Sequence, residues 1–181
     1  FGNIYSRLGN PTVGALEARL TALEEGAMCV ALSSGTSAVM YSLINIMSQG
    51  DNFVTANQLY GGTYTMFDNI LPEYGINSKK VDITDLEAVE AAIDEKTRAI
   101  YCETITNPGL VVADISALAD IAHSKGIPLI VDATFTTSAI LKPFEYGADI
   151  VVYSLTKWMS GHGRVIAGAV IEKGGFDWGN G

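Results

Sequence analysis

Short continuous apolar runs alternate along this chain with stretches in which apolar residues recur every three or four positions. The second pattern predicts amphipathic helices and the first predicts strands. In "PTVGALEARLTALEEG" Leu16, Leu20 and Leu23 share one helical face, and the pattern stops at Gly26. "AMCVALS" then predicts a strand, and "TSAVMYSLINIMSQG" a helix closing on Gly50. "NFVTA" predicts a strand, "YTMFDNILPEYG" a helix and "INSKKVD" a weaker strand. "TDLEAVEAAIDEK" predicts a helix opened by a capping box of Thr84 and Glu87. "RAIYCE" is the next strand, and "DISALADIAHSKG" a helix with Ile115, Leu118 and Ala122 in phase. "PLIVDA", "DIVVYS" and "VIAGAVIE" supply the last three strands.

Seven short strands mostly separated by helices predict an α/β fold with a seven-stranded, mostly parallel sheet and helices on both faces. The strands read as continuous apolar runs, as expected where both faces are buried. No long helix separates the last two strands, so one antiparallel strand is expected. Right-handed crossovers place the functional groups at the carboxyl ends of the strands. The segment "FGNIYSRLGNP" reads as an arm, so residues 1–12 are assigned to an arm and 13–181 to the sheet domain. A start at Phe1 and a Gly-rich end in "FDWGNG" suggest a piece of a longer polypeptide.

Composition narrows the function classes. With 48% apolar and 17% charged residues, the chain can bury a sizeable core. Eleven basic against twenty acidic residues give a formal charge of -9, which argues against a nucleic-acid or membrane-surface partner. No apolar run approaches the roughly 20 residues that span a bilayer. Cys29 and Cys102 lie in apolar strands and read as buried free thiols, which suits a reducing, cytoplasmic setting. No His or Cys spacing suggests a metal site.

Polar residues collect just past the strand ends. "SSGTSA" opens a helix, and Gly35 and Thr36 there can present backbone N–H groups to an anion. It is neither a Walker loop nor a GxGxxG fingerprint. "IVDATF" leaves Asp132 at a strand end, either as a cap or as a carboxylate aimed at a cationic group. "ETITNPG" places Glu103 and Asn107 past another, where loop formation explains them equally well. Tyr60 precedes two glycines in "LYGGTY" and reads either as packing or as a ligand contact. His162 in "SGHG" is expected to shape its loop, and His123 to complement a helix end. Lys157 in "SLTKW" either snorkels to solvent or serves amine chemistry. Ser154 and Thr156 beside it can bind phosphate through their hydroxyls. A phosphate, a ring nitrogen and an aldehyde would together satisfy these groups, and pyridoxal 5'-phosphate (PLP) carries all three.

The motifs "YSRLGNPT", "SSGTSA", "LYGGTY", "ETITNP", "IVDATF" and "SLTKW", in this order, resemble the Cys/Met-metabolism family of PLP-dependent enzymes. "TKWMSGHG" and "GGFDW" are most similar to its O-acetylhomoserine sulfhydrylase branch, with methionine γ-lyase and the cystathionine enzymes next. The resemblance implies the large domain of a PLP-dependent transferase-like (fold type I) protein, with the family's C-terminal domain absent. It implies a γ-replacement on O-acetyl-L-homoserine by sulfide or methanethiol, with γ-elimination as the alternative. A non-catalytic PLP-binding or assembly fragment is a third reading. Lys157 would form the Schiff base and move protons, Asp132 would hold the pyridine nitrogen protonated, and Tyr60 would stack on the ring. Gly35, Thr36, Ser154 and Thr156 would hold the phosphate, with Glu103 and Asn107 toward the substrate. Tyr5 and Arg7 would reach the cofactor of a neighbouring subunit, implying an active-site dimer paired into a homotetramer. Ala133 departs from the Asn common in the family, which removes one hydrogen-bonding side chain beside Asp132.

Overall fold

The computed structural model describes residues 4–180. Seven strands form one sheet: β1 (Met28–Leu32), β2 (Asn52–Ala56), β3 (Asn77–Val81), β4 (Thr97–Glu103), β5 (Leu129–Asp132), β6 (Ile150–Ser154) and β7 (Gly168–Glu172). Their order is β1-β7-β6-β5-β4-β2-β3. β7 pairs antiparallel with β1 and β6, while the pairs among β2 to β6 are parallel. The antiparallel strand expected from the missing crossover helix is thus β7. All five residues of β2 are buried, as are the first four of β6. Successive strand residues face opposite sides, so both faces of the sheet are covered.

Among the described residues, α1 (Pro11–Glu24) precedes the first strand, and α2 (Gly35–Ile44), α3 (Gly61–Thr65), α4 (Leu86–Ala92), α5 (Ile115–Ser124) and α6 (Thr137–Ile140) lie between strands. α1 starts two residues inside the segment assigned to the arm. Asn10 caps it, its side chain accepting from the N–H groups of Thr12 (2.9 Å) and Val13 (3.2 Å). Leu20 is buried, but Leu16 and Leu23 are 40% and 41% exposed. The buried face runs through Leu20 and Glu24 instead, because Glu24 accepts a hydrogen bond from the Tyr153 hydroxyl of β6.

Three local expectations need correction. The capping box does not form: Asp85 caps α4 by accepting from Ala88 N–H at 3.0 Å, and Thr84 donates its hydroxyl to Asp82 at 2.7 Å. An aspartate one position nearer the helix leaves the threonine no part in capping. α2 ends at Ile44, well before Gly50, where the Asp51 carboxylate captures the Ser48 N–H at 2.8 Å and organises a turn. The helix expected over "YTMFDNILPEYG" is composite: α3 passes into a π-helical turn at Met66–Ile70 and a 3-10 turn at Leu71–Tyr74. Pro72 lacks the N–H that a continuous α-helix would use. α5 behaves as read, with Ile115, Leu118 and Ala122 buried. His123 in its last turn pairs with Asp149 at 2.9 Å.

Candidate active site

The carboxyl ends of β2, β4, β5 and β6 open into one cavity of about 730 Å³. Gly35, Thr36, Tyr60, Glu103, Asn107, Asp132, Ser154, Thr156 and Lys157 all line it. Residues scattered over more than a hundred positions therefore meet at one end of the sheet, as parallel topology requires.

Two glycines let α2 approach the sheet end-on. A Cβ on Gly35 would lie 2.4 Å from Ser154 Cβ, and one on Gly168 would lie 2.0 Å from the Ser34 carbonyl oxygen. Side chains at either place would push the helix away from β6 and β7. Ser34 caps the helix, its hydroxyl accepting from Ser37 N–H at 3.0 Å. The N–H groups of Gly35 and Thr36 precede the first intrahelical acceptors, so they face the cavity's end of the helix dipole as anion donors. Thr156 is differently placed. Its hydroxyl accepts from Ala167 N–H at 3.1 Å and lies 3.2 Å from the Ala167 carbonyl, tying the turn after β6 to the segment entering β7. Lys157 follows in that turn, with its N–H on the Ser154 carbonyl at 3.2 Å.

Asp132 ends β5. One carboxylate oxygen accepts from Thr134 N–H at 2.9 Å and the other from the Tyr101 hydroxyl at 3.2 Å. Burial pushes its carboxyl above the ordinary range, and the Thr134 and Tyr101 hydrogen bonds act in opposition. Ala133 is fully buried, and Thr134 N–H supplies the hydrogen bond beside it to Asp132. Thr134 also accepts the Ser154 N–H at 2.7 Å, so it links the ends of β5 and β6. Tyr101 escaped the sequence reading. Its signal was a hydroxyl two residues before Glu103 in an otherwise apolar strand, which puts both on one face. The ring is anchored edge-on against Phe67, with centroids 5.2 Å apart.

Glu103 is buried at the end of β4, in register with Asp132. One of its oxygens accepts from Tyr60 N–H at 2.7 Å and the other from Asn107 N–H at 3.1 Å. Burial pushes the carboxyl up to about 7, and the nearby Asp132 charge adds to the rise, against the two hydrogen bonds. Tyr60 stands at the start of α3, half-exposed at the cavity rim. A Cβ on Gly62 would meet its ring edge at 2.7 Å, so the glycine makes room for the ring.

Tyr5 and Arg7 are not among the cavity residues. They lie on the exposed arm, with the Arg7 guanidinium 5.1 Å from the centre of the Tyr5 ring. Gly161 and Gly163 take positive φ on either side of His162, which sits in an exposed bend.

Comparison with known proteins places this geometry. Residues 1–181 match the family described as Cys/Met metabolism PLP-dependent enzyme. The chain is 47% identical to the homocysteine synthase of Schizosaccharomyces pombe, over 98% of this chain and 42% of that protein. It is 46% identical to the O-acetyl-L-homoserine sulfhydrylase of Leptospira meyeri, over 100% of this chain and 41% of that protein. The chain thus spans about two-fifths of the curated relatives' length. Its fold is shared with a putative O-acetylhomoserine (thiol)-lyase from Campylobacter jejuni, solved with a pyridoxyl-lysine monophosphate residue. That match has a TM-score of 0.93 and 43% identity, covering 97% of this chain and 43% of that one. A cystathionine γ-lyase from Lactobacillus plantarum, complexed with L-serine, matches with a TM-score of 0.89 and 43% identity. It covers 93% of this chain and 44% of that one.

Proposed function

Since this chain belongs to the Cys/Met metabolism family of PLP-dependent enzymes, we propose that its parent protein replaces the γ-acetoxy group of O-acetyl-L-homoserine with sulfide or methanethiol. The observation that carries the proposal is the meeting of Lys157, Asp132, Tyr60 and the α2 N-terminus in one cavity. The donor set suits PLP. The close approach at Gly35 forms a cradle that a Cβ would fill. Asp132 is a largely buried carboxylate whose partners, Thr134 and Tyr101, are neutral donors, so it is ready for a cationic ring nitrogen.

In this reading the N–H groups of Gly35 and Thr36 and the Ser154 hydroxyl bind the phosphate. Thr156 acts mainly by fixing the turn that carries Lys157. Bound PLP supplies an electron sink for charge left on the substrate when bonds at its α carbon break. Asp132 sustains that sink by keeping the ring nitrogen protonated. Lys157 is the residue that would hold the cofactor through its amine, and with substrate bound that amine would carry protons away from Cα and Cβ. Acetate leaves Cγ, the thiol sulfur bonds there, and protons return to Cβ and Cα. With sulfide the products are homocysteine and acetate; with methanethiol they are methionine and acetate. Tyr60 covers the ring, with Asn107 toward the substrate.

The exposed arm, with Ile4 and Leu8 more than four-fifths accessible, supports a role for Tyr5 and Arg7 in a neighbouring subunit's site. That role implies an active-site dimer, and the family resemblance extends it to a homotetramer of two such dimers. Two buried free thiols support a reducing, cytoplasmic setting.

Incubating the full-length protein with PLP, O-acetyl-L-homoserine and sulfide tests the proposal. Acetate release dependent on sulfide is expected. Release of α-ketobutyrate from methionine, with no sulfide-dependent acetate, would assign the protein to γ-elimination instead.

A further inference from the structure

Glu103 lines the cavity, yet both its carboxylate oxygens are occupied by backbone. One holds the N–H of Tyr60, at the carboxyl end of the loop after β2. The other holds the N–H of Asn107, four residues along its own loop. The two loops touch again beyond the carboxylate: a Cβ on Gly109 would lie 1.5 Å from Gln58 Oε1, so the Gln58 side chain packs directly against Gly109. The Asn107 and Tyr60 sides of the cavity are therefore joined at two places, and at one of them the joint is a single buried side chain.

We infer that Glu103 is a positioning residue, a carboxylate clamp that sets Tyr60 over the cofactor ring and holds the Asn107 loop at a fixed distance from it. The inference rests on the proposed function for the roles of Tyr60 and Asn107, and goes beyond it in assigning Glu103 to neither substrate nor proton transfer. A carboxylate suits the task because it presents two acceptor oxygens to two N–H groups at once. Glutamine keeps one acceptor and turns an N–H₂ donor toward the other N–H, which releases one loop. The backbone amide under Tyr60 then loses its partner, and the ring loses its fixed height above the cavity floor. A shift near 1 Å at a group positioned against the reacting atoms is enough to cost about a hundredfold in rate.

Two measurements on the full-length protein test this. The first is hydrogen exchange without cofactor. In Glu103→Ala, which removes both acceptors, exchange in the peptide holding Tyr60 and in that holding Asn107 is expected to accelerate at least tenfold, with the β4 peptide over residues 97–102 unchanged. The second is a double-mutant cycle on sulfide-dependent acetate release. Glu103→Gln is expected to lower kcat by 10- to 100-fold with KM moving less. In a Tyr60→Ala background, which removes the ring that the clamp positions, that penalty should shrink, because a residue acting through the Tyr60 ring cannot act independently of it. Unchanged exchange at Tyr60, or fully additive kcat penalties, would overturn the inference. If Glu103→Gln fails to fold, Glu103→Asp, which keeps the charge with a shorter reach, carries the same cycle. Lack of lysine-bound cofactor absorbance in the unmutated protein would instead overturn the proposed function, while the exchange experiment would still judge the clamp.

Discussion

Replacing Gly35 with alanine should separate phosphate binding from every other part of cofactor recognition. The added Cβ would lie 2.4 Å from Ser154 Cβ and 2.8 Å from Ser154 Cα. Carbon atoms in ordinary contact sit about 3.5–4.0 Å apart, so the first turn of α2 must retreat from β6 by about 1 Å. Because Ser154 Cα is backbone in the sheet, the helix moves rather than the strand. The overpacking costs about 1–3 kcal/mol. Alanine's better helix propensity offsets up to ~1 kcal/mol of that, so the protein should remain folded. Binding suffers more. An N–H···O contact near 2.9 Å stretched by about 1 Å leaves hydrogen-bonding range. Each bond to a charged group contributes about 1.5–3 kcal/mol, and every 1.4 kcal/mol is tenfold in affinity. The Kd of full-length Gly35→Ala for PLP should therefore rise by about 10- to 100-fold. Pyridoxal, which lacks the phosphate, is the control: its affinity should change by less than about threefold on the same argument. Titrating cofactor-free protein with each and following the visible absorbance reads both numbers. Equal weakening toward PLP and pyridoxal, or no weakening toward PLP in a folded variant, would refute the placement of the phosphate at α2.

Three further outcomes follow from the same geometry. Asp132→Asn removes the charge facing the ring nitrogen while leaving the phosphate donors in place. It should lower kcat by about a hundredfold, or ~3 kcal/mol, with a much smaller change in cofactor affinity, both measurable on the purified variant. Glu103, pushed up to about 7, keeps its proton in the folded state where the unfolded chain has already released it. Its contribution therefore makes cofactor-free protein less stable as pH rises from about 4.5 to about 7, and level above that, by up to ~3 kcal/mol. Urea denaturation across that window should show the slope, and Glu103→Gln should remove it. Tyr153→Phe deprives the buried Glu24 of its donor, and the other Glu24 oxygen already has no partner. The expected loss is about 1–3 kcal/mol of stability. Burial already raises the Glu24 carboxyl and Tyr153 restrains that rise, so the loss should grow as pH climbs through the raised titration of the folded carboxyl. Urea midpoints at acid and neutral pH would check this, and a pH-independent loss would count against it.

The strand ends were legible because each breaks an apolar run with a residue a core would not choose. Asp132 after "LIV" and Lys157 after "VVYSLT" stand out by chemistry alone, and the parallel topology then forces them together. What stayed hidden depends on partners far away in sequence or on side-chain direction. Glu24 looks like the solvent face of a helix until Tyr153, 129 residues later, supplies its hydrogen bond. Thr156 reads as a phosphate ligand by residue type, yet its hydroxyl turns to Ala167. Glu103 looks like a substrate group, but backbone amides on both sides occupy it. Gly35 was legible as a backbone donor to an anion, whereas its need to be glycine, like that of Gly168, comes from the close approach of α2 to two strands.

The proposed function stands or falls with Lys157 as the residue that bonds the cofactor. Borohydride reduction of full-length holoprotein, followed by proteolysis and mass spectrometry of the peptides, tests it most directly. One pyridoxyl-phosphate adduct is expected, on the peptide containing "SLTKW" and on Lys157 within it, and none in Lys157→Ala. An adduct on another lysine, or persistence of the adduct in Lys157→Ala, would contradict it.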